Sequence, residues 1–129
     1  MAITLTTAAR NAACDAIVDL VDAGTGAGTI ELKSAASTVA GTNEVATLTF
    51  SDPAFGAASS GVATAGTITD DTNATGGTAS HFTVFDSDGN AVWQGTVATS
   101  GADLNLSSTT IGAGSTVTIS SFTFTVPAS

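Results

Sequence analysis

His81-Phe-Thr-Val-Phe-Asp86-Ser-Asp-Gly89-Asn-Ala91-Val-Trp93-Gln-Gly-Thr-Val97 is the stretch on which the fold turns. Two runs rich in β-branched and aromatic residues flank an acidic turn containing Asp-Gly, a strong local signal for a β-hairpin. The same period-two texture continues on both sides of it. Upstream, Thr29–Lys33 alternates with Ile30 and Leu32 inward, and Val45–Phe50 alternates with Leu48 and Phe50 inward. A loop at Asp52-Pro53 leads to a weak strand over Val62–Ile68, and Thr69–Gly77 reads as an exposed loop. Downstream, a short strand at Asp103–Leu106 precedes a turn at Gly112-Ala113-Gly114. A final strand spans Thr116–Val126, with a bulge or bend where Ser120-Ser121 breaks its alternation.

One segment departs from this texture. Residues 7–22 carry Ala9, Ala12, Ala13, Ala16, Ile17, Leu20 and Val21 at helical spacing, which predicts an amphipathic helix with these residues buried. Thr6 or Thr7 serves as N-cap and Gly24 closes the C-terminal end. The expected fold is therefore mainly β with one N-terminal α-helix. Its β part, 29–126, forms an antiparallel β-sandwich or barrel-like sheet of six to seven short strands. At 129 residues the chain fits a single domain, 1–129.

Charge narrows the function. Arg10 and Lys33 are the only basic residues against eleven acidic ones, a formal net charge of −9. So few cations cannot neutralise a run of phosphates, which excludes nucleic acid and anionic membrane surfaces as partners. Only 10% of residues are charged, so the solvent-facing side must be built from Thr, Ser, Asn and Gly. A single cysteine, Cys14, rules out an intrachain disulfide. The start Met1-Ala-Ile-Thr-Leu5 has neither the basic nor the apolar region of a signal peptide, and no apolar run approaches bilayer length. A protein made in a cytoplasm is expected.

No catalytic constellation is visible. His81 is the only base that titrates near neutrality, and a lone strand-end histidine is ordinarily a polar residue beside a turn. No Gly-x-Ser-x-Gly elbow occurs, and Cys14 lies at the border of the helix stripe as a small buried thiol. Asp86-Ser-Asp88-Gly-Asn90 resembles part of a calcium loop, but the closing acidic residue is missing and a strand follows instead. Asp70, Asp71 and Asn73 could contribute to a weak cation site only with help from another loop. Asn73-Ala-Thr75 matches a glycosylation sequon that is inert without secretion. The glycine runs near residues 26 and 113 precede strands and so cradle no phosphate. Trp93, the only Trp, reads as core or interface. The expectation is a non-enzyme with no catalytic residue, cofactor or metal.

The outer face of the expected helix carries Asn11, Asp15, Val18 and Asp22, with Asp19 at its edge. Asp22 there opposes the helix macrodipole. Asp15, Val18, Asp19 and Asp22 are thus the candidate partner-docking face, suited to a basic surface. The segments Met1–Leu5 and Phe122–Ser129 are β-prone and nearly uncharged, suited to adding a strand to a neighbour's sheet.

The helix Thr6–Gly24, the following Gly28-Thr-Ile-Glu-Leu32, Asp52-Pro-Ala-Phe-Gly56 and the Phe82–Gly89 hairpin are together similar to small virion proteins of tailed bacteriophages. The resemblance runs over most of the chain and carries no catalytic motif. It implies a capsid decoration or cement protein in the virion: β-rich, abundant, commonly trimeric, and bound to the major capsid protein or another virion protein. A tail, fibre or vertex component, or a small host-surface-binding β-module, is the alternative that the same residues allow.

Overall fold

The computed structural model describes residues 3–128. Helix α1 (Thr7–Asp19) tightens into a 3-10 turn at Leu20–Asp22. Among the described residues nine strands follow: β1 (Thr29–Lys33), β2 (Glu44–Thr49), β3 (Val62–Thr64), β4 (Gly77–Thr78), β5 (His81–Phe85), β6 (Ala91–Ala98), β7 (Leu104–Asn105), β8 (Thr110–Ile111) and β9 (Thr123–Thr125). The chain is mainly β with one N-terminal helix, as the patterning predicts. The excess over six or seven strands comes partly from the two-residue β4 and β8, too short to leave a periodic trace. Thr6 caps the helix, its hydroxyl accepting the Ala9 N–H at 3.1 Å.

β5 and β6 form the hairpin around which the main sheet is built, in the order β2-β1-β5-β6-β7. The sheet curls into a half-barrel. The remaining strands form two-stranded ribbons, β3–β9 and β4–β8, in place of a second full sheet. One pairing departs from the antiparallel expectation: β7 runs parallel to β6, with Val97 opposite Leu104. The expected last strand is also shorter than its pattern. Val117 makes a lone bridge to Asp71, the chain leaves the ladder around Ser120-Ser121, and only Thr123–Thr125 pairs, with β3.

The ladder register sorts the side chains. Leu48 opposes Ile30, Ile30 opposes Val84, and Val84 opposes Trp93, so these share one face with Ala46, Leu32 and Phe82. That face, closed by Phe50, Phe122 and Ile119, is the core. Gly95 opposes Phe82, and a Cβ there would come within 2.6 Å of the Phe82 ring. Glycine is needed so that the ring can lie over the strand.

The other face of the sheet overturns a simple half-buried reading of β1. Glu31 and Lys33, expected on the wet side, are buried, Lys33 completely. Lys33 Nζ donates to Glu31 Oε1 at 2.9 Å, to the Val39 carbonyl at 3.0 Å and to the Thr42 carbonyl at 2.7 Å. Glu31 in return accepts the Gly41 N–H at 3.0 Å, and Thr83 Oγ1 donates to the Ser37 carbonyl at 2.7 Å. The 34–43 segment is thereby drawn over the sheet as a polar roof, with Phe85 under the ammonium at 5.5 Å.

Breaking one member of a buried pair strands the other charge. Lys33→Met is expected to cost about 3–5 kcal/mol in urea unfolding, and Glu31→Leu/Lys33→Met together to recover much of it. A single-variant loss below about 1 kcal/mol, the scale of an exposed pair, would show that the pair is not structural.

Candidate functional site

The helix is rotated about its axis relative to the face its apolar residues predict. Cys14, Val18 and Val21 are the buried positions, with Val18 at 2% exposure, whereas Ala9, Ala12 and Ala16 face solvent and Leu20 is 55% exposed. The inward face also carries Asn11, Asp15 and Asp22. Asn11 Oδ1 accepts the Gly61 N–H, Asp15 Oδ1 the Ala58 N–H and Asp22 Oδ1 the Ala54 N–H, each at 2.8 Å. Positions 11, 15, 18 and 22 lie on one helical stripe, so the helix grips the 54–61 loop by its main chain.

This corrects the candidate docking face. Asp15, Val18 and Asp22 are occupied by the chain's own loop, and only Asp19 of that set faces solvent. The energetic reason is direct. An alanine stripe buries little area, whereas a backbone N–H left without an acceptor costs about 1–3 kcal/mol. Cys14 and Val18 fill a satellite core with Ala63, packed against Phe124 and Val126.

Most of the other polar candidates are likewise engaged within the chain, whereas Asp70 and Asp88 are exposed. Asp86 Oδ1 accepts the N–H groups of Asp88 and Asn90, both at 2.9 Å, and Oδ2 accepts Asn90 Nδ2 at 3.1 Å. The hairpin turn is closed by its own carboxylate. Chiefly the Asn90 N–H, helped by Asn90 Nδ2 and the Asp88 and Gly89 N–H groups, holds the Asp86 carboxyl below its ordinary range, against the opposing effect of burial. Asp71 accepts the Thr47 N–H at 2.8 Å and the Asn73 N–H at 2.9 Å. Glu44 accepts from the Thr47 and Thr75 hydroxyls.

His81 is half-buried, its Nδ1 at 2.8 Å from Ser80 Oγ, which also donates to the Ser34 carbonyl. Burial pushes the Cys14 thiol up, and its Sγ lies 3.5 Å from the Phe124 carbonyl, so it stays a protonated packing group. Among the described residues no three His, Cys, Asp or Glu side chains converge to hold an ion. No helix of these residues is long and apolar enough to cross a membrane.

Arg10 Nε donates to the Val126 carbonyl at 2.9 Å, so both basic side chains bind this chain's own main chain. Trp93 is half-buried, its ring 4.6 Å from Phe124 and stacked at 6.1 Å on Phe122. Beside it, between β6 and β9, runs a groove with about 230 Å³ of free space, lined by Phe82, Trp93, Phe124, Gln94, Thr123 and Thr125. Sequence reading places Trp93 at core or interface but not this groove, which depends on where β9 docks.

No protein-family model, curated protein or solved structure matches the chain. The surface therefore has to be read from its own side chains. It offers an apolar helix stripe, an exposed Ile3 and an aromatic groove.

Two outcomes test these assignments. Asp15→Ala is expected to lower unfolding stability by about 1–3 kcal/mol by orphaning the Ala58 N–H, whereas Asp19→Ala stays within about 0.5 kcal/mol. Equal effects would contradict the rotated helix. Because the folded-state pKa of Asp86 is depressed, its contribution is present above the unfolded value of about 3.9 and is lost as pH falls through the folded value. Thermal melts should show Asp86→Asn well below wild type at pH 7, with the gap closing toward pH 2.

Proposed function

We propose that this chain is a non-enzymatic assembly protein, a capsid decoration protein that clamps the shell of a tailed bacteriophage virion. One observation carries the reading. Arg10, Lys33, Asp15, Asp22, Glu31, Asp71 and Asp86 are spent holding main chain, while Ala9, Ala12, Ala16, Leu20 and Ile3 are left to solvent. An enzyme exposes its polar groups in a cleft and hides its apolar stripe; here the helix does the reverse.

The partner is the major capsid protein or another virion protein, seated on the outward stripe of α1. Small residues at 9, 12 and 16 would let its backbone approach closely, and Leu20 anchors the end of the contact. Binding that favours the assembled shell over dissociated subunits stabilises it by mass action without any reaction. The barrel-like sheet acts as the rigid support.

Copy number in purified particles is the direct measurement. Hundreds of copies per virion by gel densitometry are expected, with Leu20→Ser lowering occupancy at least tenfold at limiting protein. A handful of copies would move the chain to tail or vertex, and absence from particles would overturn the proposal.

A further inference from the structure

The two edges of the main sheet are finished differently. At β2 the edge is closed along its length. Thr49 exchanges both backbone bonds with Thr69, Asp71 takes the Thr47 N–H, and Gly76 donates to the Val45 carbonyl at 3.0 Å. At β6 the closure stops part-way. Asp103 Oδ2 takes the Thr96 N–H at 3.0 Å, and β7 covers only Val97 and Ala98.

The ladder to β5 fixes where the remaining groups point. Val97 donates to the Ser80 carbonyl, so Val97, Gly95 and Trp93 face β5, while Gln94, the last residue before the bulge opposite Val84 and Phe85, directs its N–H and C=O groups to the open side. The facing edge of β9 is open too. Ala65 donates to Phe122 and Val126 to Gly61, which turns the even-numbered residues toward β3 and leaves Thr123 and Thr125 directed away from it. Gln94, Thr123 and Thr125 all line the groove beside Trp93. A second hollow of about 280 Å³, sharing Asp103 and Thr123, continues it toward Ser120 and Ser121. The groove is a slot between the open Gln94 position of β6 and the open edge of β9, over an aromatic lining.

We infer that this slot takes one extended strand, and that the strand is the Ile3–Leu5 arm of a second copy of this chain. The arm lies outside every strand of its own protomer, with Ile3 82% and Leu5 37% exposed, and Leu5 is anchored by its N–H to the Ala128 carbonyl at 2.7 Å. Ile3-Thr4-Leu5 has the alternation the slot requires: two apolar side chains meet Phe82, Trp93 and Phe124, and Thr4 faces out. It is also free of acidic residues, in a chain where the slot itself presents Asp103. A strand there would ladder with Gln94 on one side and the β9 threonines on the other, carrying the half-barrel on into the β3–β9 ribbon. The inference stands without the virion reading, since it concerns how copies join one another and not what they join to.

Sedimentation equilibrium of the full chain between 1 and 100 µM is the test. Self-association is expected for the wild type. Ile3→Glu/Leu5→Glu, at positions that face solvent in one protomer, should shift the chain to monomer with unchanged circular dichroism. Gln94→Pro removes an edge N–H and should do the same, and because it could unfold the strand, the arm variant decides. Ile3→Cys mixed with Thr125→Cys should yield a dimer on a non-reducing gel, since Cys14 is buried. A monomeric wild type, or an oligomer that survives both arm substitutions, overturns the inference.

Discussion

Main-chain N–H groups that no ladder can reach are the constraint around which this structure is organised. The strands are short and the connections long, so much backbone runs close to the core without a strand beside it. Acidic side chains supply the missing acceptors. Asp15, Asp22, Glu31, Asp71, Asp86 and Asp103, six of the eleven acidic residues, each accept from a backbone N–H. Asn11 does the same with its amide oxygen. The acidity that looks like a solubility device is largely a set of hydrogen-bond acceptors for loops.

The same constraint explains the helix and the roof over β1. α1 presents its polar stripe inward because the 54–61 loop needs acceptors more than the core needs alanine. The roof reverses the signs: the 39 and 42 carbonyls need a donor, and Lys33 reaches them from the strand beneath while Glu31 balances its charge. Function inherits the consequence. With many of its polar groups turned inward, the chain leaves outside mainly apolar and hydroxyl-bearing side chains beside scattered aspartates such as Asp19, Asp52, Asp70 and Asp88.

Much of the fold is legible in the sequence because period-two alternation and Asp-Gly turns are local signals. The 81–97 hairpin, β1, β2 and the helix with its Thr6 cap are all visible there. The helix phase is not. Ala-rich segments carry weak hydrophobic asymmetry, and whether Asp15 and Asp22 face water or an N–H depends on a loop some forty residues away. β4, β8 and the parallel β7 pairing are two-residue events fixed by tertiary contact. The burial of Glu31 and Lys33 had one trace, a cation and an anion at i and i+2 on a β-rich run, but nothing local announces that 34–43 folds back over them. The slot between β6 and β9 is a property of two distant edges, and no window of sequence contains both.

The placement of the two cations also shapes how the molecule meets a protease-rich environment. Trypsin-like enzymes cut only after Lys or Arg in backbone that can be drawn out into an active site. Here one candidate bond follows a fully buried lysine at the end of β1, an interior strand of the main sheet, and the other follows an arginine inside a capped helix whose guanidinium holds the C-terminal segment. The folded protein thus presents no ready tryptic site among its described residues, and amine-directed reagents find no accessible lysine to modify.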